Sequence, residues 1–312
     1  MEHIDYFNTQ SNFLFNLAYR MIGSVTEAED IMQDCFLKFS KIPIEKMDSP
    51  KKLLTTILSR TAIDRYKRAK LEREFYKGVW LPEPIVLEAK SDPYAIYEKQ
   101  ESISIALLHL LERLSPKERA AFVLRDLFDY EYEEIADIFG WTKDNARKLA
   151  SRARSAISSE RPKFSVSQSD LEKILFQFMG AIREGNHASL IRLLSNDIHL
   201  YSDGGGKVRA ALIPIIGTKK VAQFLIGLSK KPRAKTMRPI MITLNSKPAI
   251  AFFIKKEIHS ILFLESDQNS LTKIFIWLNP DKLSRYKIER PGLLDLIRFV
   301  WNVHKTSKTS FV

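Results

Sequence analysis

Residues 132–154, YEEIADIFGWTKDNARKLASRAR, have the spacing of two short helices joined by a tight turn. Ile135 and Ala136 supply the packed side of the first helix, and Ala136 is small where a second helix crosses close to it. Gly140 takes the turn, since glycine adopts positive φ without steric cost. Thr142 is placed to cap the second helix, whose inner face is Ala146, Leu149, Ala150 and Ala153. The outer face carries Lys143, Asn145, Arg147, Lys148, Ser151 and Arg152, groups that bond base edges or neutralise phosphates in a major groove. A basic helical hairpin with no DNA function would carry the same charge. The agreement of the Ala, Gly and Leu spacings favours the DNA-reading motif.

Upstream, Ser115-Pro116-Lys117-Glu118 reads as an N-cap, a proline at the first helical position and a capping-box glutamate. Before it, Ile103, Leu107, Leu110 and Leu111 form one stripe of a helix expected over 95–114. The first third of the chain is also helical in pattern. Phe13, Leu14, Leu17, Ala18 and Met21 repeat at helical spacing until Gly23-Ser24, and further helices are expected over 27–40 and 51–76. The last of these is basic, with Arg60, Arg65, Lys67, Arg68, Lys70, Arg73 and Lys77, although a solvated helix face has the same appearance. Two basic units on one chain can bind two separated DNA elements and gain affinity through effective concentration.

Between these units lies WLPEP: Trp80, Leu81, Pro82, Glu83 and Pro84. The prolines hold Leu81 and Glu83 extended, which makes the segment stiff. It reads either as a linker that tucks one aromatic onto the nearest core or as a peptide displayed for another surface to grip. A polar stretch over 88–93 completes the linker.

From about residue 164 the pattern changes. Helices are expected over 171–184, ending at Gly185-Asn186, and over 188–194. Strands are expected at IHLYSD (198–203), KVRAAL (207–212), RPIMITL (238–244), AIAFFIK (249–255), HSILFLE (259–265) and LTKIFIWL (271–278). Helices followed by a curved antiparallel sheet make an α+β domain. Leu293, Leu294, Ile297, Val300 and Trp301 then form an amphipathic C-terminal helix.

The length of 312 residues suits two or three domains. Lys and Arg number 49 against 37 Asp and Glu, a formal +12 that favours a polyanionic partner. Cys35 is the single cysteine, which excludes an internal disulfide and suits a small buried hydrophobe in a reducing compartment. The N-terminus MEHIDYFNTQ is unlike a signal peptide and no apolar run is long enough to span a membrane, so a cytoplasmic location is expected. The six histidines are scattered without ligand spacing, and DGGGK lacks the spacing and hydroxyl of a P-loop, so no metal and no cofactor are expected.

Taken together, these residues resemble the extracytoplasmic-function sigma factors of bacterial RNA polymerase. The stretch AYRMIGSVTEAEDIMQDCFLKF (18–39) resembles the helix that docks on the polymerase clamp. By that resemblance Asp30, Gln33, Asp34 and Leu37, which share one helix face, are the polymerase-binding positions. The region 42–68 corresponds to reading and opening the minus-ten element, with Arg60, Arg65, Lys67 and Arg68 as DNA-binding residues. The family commonly carries an aromatic where this chain has Leu53. Residues 132–154 correspond to the module for the minus-thirty-five element. WLPEP, DGGGK (Asp203, Gly204, Gly205, Gly206, Lys207) and NPDKL (Asn279, Pro280, Asp281, Lys282, Leu283), in that order, are similar to the subgroup with a fused SnoaL-like C-terminal domain. The resemblance implies that this domain regulates the factor in cis, with WLPEP contacting it near DGGGK. Glu83 would then be available to backbone donors or to Lys207. Read locally, DGGGK is a tight turn and NPDKL a strand-ending turn in which Asp281 caps a helix.

The expected architecture is therefore multidomain. Sigma region two spans 1–77, the linker 78–94, the helix-turn-helix of sigma region four 95–163, the α+β cone-shaped SnoaL-like domain 164–290, and a C-terminal helix and tail 291–312. The expected partners are core RNA polymerase and promoter DNA, without a membrane, and the expected state is a monomer without catalytic residues. Two alternatives stay open. In one, the cone of a DNA-binding regulator takes a small ligand; residues 218–256, which contain ten Lys or Arg and no acid, would meet an anionic ligand, nucleic acid or a polymerase surface, or form a solvated basic rim. In the other, Asp197, His199, Tyr201 and Asp203 serve an isomerase- or hydrolase-like proton transfer, although no catalytic pair is identifiable.

Overall fold

The computed structural model describes residues 3–43, 47–87, 103–158, 167–267, 270–286, 288 and 292–309. The expectations for linker residues 88–94, for 95–102 of the helix before region four, for 44–46, for 159–164, for the boundary near 290 and for the side chains of Leu293 and Leu294 lie outside the described residues. The chain forms two compact units.

The first unit comprises residues 1–75, 82–85 and 91–161, and its described secondary-structure elements are helices. α1 (His3–Ile22) ends at Gly23, and Ser24 caps α2 (Val25–Phe39) by accepting the Glu27 amide. Ser49 and Pro50 start α3 (Pro50–Glu74), the cap accepting the Lys52 amide. Leu14, Leu17, Ala18, Ile31, Cys35, Leu54, Leu58 and Ala62 are buried, so the apolar stripe of each helix meets the others. The helix read over 95–114 is described as α4 (Ile105–Leu111), capped by Ser104. α5 (Pro116–Phe122) begins with the expected capping box of Ser115 and Glu118 and continues into a π-helical turn, Val123–Leu127. α6 (Tyr132–Phe139), Gly140 at φ +68° and α7 (Lys143–Ile157), capped by Thr142, complete the predicted helix-turn-helix.

The second unit comprises residues 76–81, 86–90 and 162–312. α8 (Gln168–Glu184) stops at Gly185, and α9 (His187–Leu193) follows. β1 (Val86–Leu87), β2 (Leu194–Asp203), β3 (Ile215–Ile216), β4 (Arg238–Leu244), β5 (Lys247–Ile254), β6 (Glu257–Ser266) and β7 (Leu271–Trp277) form one sheet in the order β1-β4-β5-β6-β7-β2-β3. Neighbours run antiparallel except β2 and β7, which are parallel. One face of the sheet carries Leu200, Ile250, Leu262, Leu264, Ile274 and Ile276. It packs on Leu175 and Phe178 of α8, on Val221, Leu225 and Ile226 of α10 (Thr218–Ser229) and on Phe299 and Val303 of α12 (Leu293–Thr309). The face between these layers is filled by apolar side chains. α11 (Pro280–Leu283) is the single turn formed by NPDKL.

One expectation changes. KVRAAL is not a strand: Lys207 and Val208 both donate to Gly204 O, so the chain turns there and runs irregularly until the short edge strand β3. Two alanines give that run little β preference to resist the turn. α10 occupies the start of the lysine-rich stretch, and its Val221, Ala222, Leu225 and Ile226 have the spacing of a buried helical face.

Candidate functional site

The parallel pairing of β2 with β7 explains how two motifs distant in sequence become one site. Both strands end in the same direction, with Asp203 opposite Trp277, so DGGGK and NPDKL emerge side by side. Leu278 N donates to Asp203 O at 2.7 Å, and Asn279, rather than the expected Asp281, caps α11 by accepting the Asp281 amide. Asp281 instead pairs with Lys207 at 2.6 Å. Gly205 has φ +64°, and a Cβ there would lie 2.5 Å from Asn279. The close approach of these two motifs therefore requires glycine.

The segment leading into WLPEP is held at this site, within the same unit. Asp203 is fully buried; its carboxylate accepts the Tyr76 hydroxyl at 2.5 Å, the Leu81 amide at 3.1 Å and the Gly205 amide at 3.0 Å, and pairs with Lys282 at 2.7 Å. Lys282 Nζ also donates to Leu81 O and lies 4.2 Å from the Trp80 ring centroid. Asn279 Nδ2 donates to the Tyr76 oxygen at 3.0 Å. Burial, and then the bond to Asp203, push the Tyr76 phenol far above its ordinary pKa, so it remains a donor. Val86 and Leu87 add to the sheet edge opposite Leu244 and Thr243 of β4. Sequence reading missed Tyr76, because nothing in its local pattern separates it from the end of a basic helix.

WLPEP divides between the two units. Trp80 and Leu81 belong to the second, whereas Pro82, Glu83 and Pro84 belong to the first. There Glu83 does not meet Lys207. Its carboxylate accepts the amides of Val25 at 2.8 Å and Thr26 at 3.1 Å, at the N-terminus of α2, where orphan amides and the helix dipole favour an anion. Its backbone is also fixed, with N–H to Gly23 O at 2.9 Å and its carbonyl accepting the Tyr19 hydroxyl at 2.7 Å.

Comparison with known proteins matches residues 7–72 to the family described as Sigma-70 region 2 and residues 104–157 to Sigma-70, region 4. The ECF RNA polymerase sigma factor SigJ of Mycobacterium tuberculosis is 35% identical over 228 residues, 72% of this chain and 72% of that protein. The chain belongs to the ECF RNA polymerase sigma factors. A second relative of this sigma factor, the probable ECF factor SigI of the same species, is 26% identical over 284 residues, 90% of this chain and 94% of its own. The crystal structure of SigJ superposes with a TM-score of 0.75 at 28% identity, covering 92% of this chain and all of that one, so the C-terminal α+β sheet domain belongs to the shared architecture.

In this sigma factor the recognition helix α7 exposes Lys143, Asn145, Arg147, Lys148, Ser151 and Arg152 and buries Ala146, Leu149, Ala150 and Ala153. Lys143 pairs with Glu133, and Arg147 lies 3.5 Å from Asp144. On α2, Gln33 and Leu37 are exposed, and Asp30 and Asp34 are half-buried. The structure brings Arg65 to those acids rather than leaving it beside Lys67 and Arg68. Its guanidinium pairs with Glu27 at 3.0 Å, Asp30 at 3.2 Å and Asp34 at 2.9 Å. Arg60 Nε donates to Ile138 O of α6 at 2.5 Å, and Lys52 pairs with Asp137 at 3.0 Å. Lys67 pairs with Asp64 at 2.8 Å, and both Lys67 and Arg68 are exposed. Arg119, buried in α5, and Arg73 of α3 both pair with Glu112, and the Arg119 guanidinium sits 4.5 Å from the Tyr66 ring centroid. Regions two and four are thus joined inside one unit by contacts that include Arg60, one of the expected minus-ten residues of α3.

The residues of the enzyme alternative have other engagements. His199 stacks on Tyr201, Tyr201 stacks on Phe275, and the His199 ring nitrogen meets Asp197 O at 2.7 Å. Asp203 is committed to Lys282 and the Tyr76–Leu81 segment. Among the described residues no cluster suited to a metal occurs, and no helix is long and apolar enough to cross a membrane.

Proposed function

We propose that this sigma factor directs RNA polymerase to its promoters under the control of its own C-terminal domain, which acts by holding residues 76–81. The observation that carries the reading is the buried Asp203–Lys282 pair closed around the backbone of Leu81 and the Tyr76 hydroxyl. Such a pair is sensitive to its partners, since loss of one leaves a buried charge uncompensated. Gln33 and Leu37, with Asp30 and Asp34 set by Arg65, form the polymerase-binding face; Lys67 and Arg68 meet the minus-ten element, joined by Arg60 once region four moves off α3. Asn145, Lys148, Ser151 and Arg152 read the upstream element, with Lys143 and Arg147 beside them. The protein works as a cytoplasmic monomer with no reaction, metal or cofactor of its own. Control follows population shift: the domain must hold residues 76–81 more tightly in one arrangement of the modules than in another.

The test is transcription in vitro with core polymerase on genomic fragments, comparing the full chain with Trp80→Ala and Asp203→Asn. The expected result is a changed transcript level from the same start sites, because the recognition helix is untouched. Unchanged levels from folded variants would remove the cis-regulatory reading. Failure of the parent chain to bind core polymerase would remove the larger one.

A further inference from the structure

The positive charge of this chain is not where its sigma modules are. Residues 1–163 hold 26 Lys and Arg and 26 Asp and Glu, whereas residues 164–312 hold 23 against 11. The whole formal +12 therefore lies C-terminal to both sigma-70 regions.

Much of it gathers at one end of the sheet. α10 is capped by Lys230, Lys231 follows, Arg233 and Lys235 lie in a short 3-10 helix (Pro232–Thr236), and Arg238 opens β4. Lys255 and Lys256 make the turn from β5 to β6. The ladder sets Arg238 opposite Phe253 and Ile254 opposite Glu257, which places Arg238 beside that turn. Arg233 reaches the same end, 3.4 Å from the His259 ring on β6.

All seven cations are exposed and, among the described residues, none is in an ion pair. Three other lysines of this domain differ: Lys207 pairs with Asp281, Lys247 with Glu265 and Lys282 with Asp203. Lys255 also stands at φ +58°, a backbone position that Asn or Gly occupies with less strain, as Asn245 does in the preceding hairpin turn.

We propose that this end of the sheet is a second DNA contact, one that grips the phosphate backbone without reading sequence. Unpaired cations on a fixed sheet end suit a regular row of phosphates, and the segments 230–238 and 253–259 contain no Asn or Gln for bidentate contact with adenine. DNA is the polyanion on which a sigma factor works. The contact adds affinity to promoter binding and leaves promoter choice to regions two and four.

The experiment measures binding of the full chain to a fluorescent duplex lacking promoter elements across a series of NaCl concentrations. The parent is compared with the quadruple variant Arg233→Gln, Arg238→Gln, Lys255→Gln, Lys256→Gln, and with Lys255→Arg, Lys256→Arg. At roughly 0.9 of log–log slope per phosphate neutralised, the quadruple variant is expected to lose about 3 to 4 from the salt slope while the arginine variant keeps it. Matching circular dichroism and melting show that the variants are folded. No binding by the parent, or an unchanged slope in the quadruple variant, overturns the proposal. An unchanged DNA slope together with weakened core-polymerase binding also overturns it and makes an acidic polymerase surface the partner.

Discussion

Gly140 and Gly205 have nearly the same φ, +68° and +64°, but differ in what surrounds them. No atom lies within 4 Å of a Cβ at Gly140, whereas one at Gly205 would overlap Asn279. Gly140→Ala should therefore lose only the left-handed conformational preference, about 1–2 kcal/mol, and Gly205→Ala should lose that and disturb the junction with NPDKL. Urea unfolding checks the order, and equal losses would show that Asn279 gives way freely. Cys35 allows a second test. Its thiol is buried, and burial pushes its pKa from 9.0 up to about 12, with Lys38 opposing. The folded state keeps the proton that the unfolded state releases, so this contribution is complete below pH 9 and is lost between pH 9 and 12. Raising the pH from 8 to 10 should narrow the stability advantage of the parent over Cys35→Ala by about 1.4 kcal/mol, read from paired urea curves. A constant gap would mean that the thiolate is accommodated.

At the scale of elements, α3 connects through two very different kinds of ion pair. Lys52 and Asp137 are 60% and 64% exposed, and such a pair contributes little, so Lys52→Ala should cost under about 1 kcal/mol. Glu112 is 15% exposed between Arg73 and the buried Arg119, so Glu112→Gln should cost about 3–5 kcal/mol by leaving two guanidiniums without their anion. Chemical denaturation of the two variants measures the contrast, and similar losses would contradict it. The helices themselves were legible, since Ser24, Ser49, Ser115, Thr142 and Gly185 mark ends that local hydrogen bonding creates. α10 was legible too, because Val221, Ala222, Leu225 and Ile226 carry helical spacing between flanking lysines. The pairing of Arg65 with Glu27, Asp30 and Asp34 was not legible, because it depends on which faces of α2 and α3 meet.

At the scale of the molecule, sequence alone determined the two helical modules, the sheet domain that follows them and the motifs that matter. Those follow from hydrophobic period, caps and turn residues, all of which act over a few positions. It also determined the uneven charge, which is a property of composition. Only the tertiary structure decided that Asp203 and Lys282 form a buried pair around Leu81, because the parallel alignment of β2 with β7 joins residues 79 positions apart. It likewise decided that Glu83 serves the α2 amides and not Lys207. A carboxylate takes the partner that packing sets beside it, and packing is settled by burial over the whole chain rather than by its neighbours in sequence.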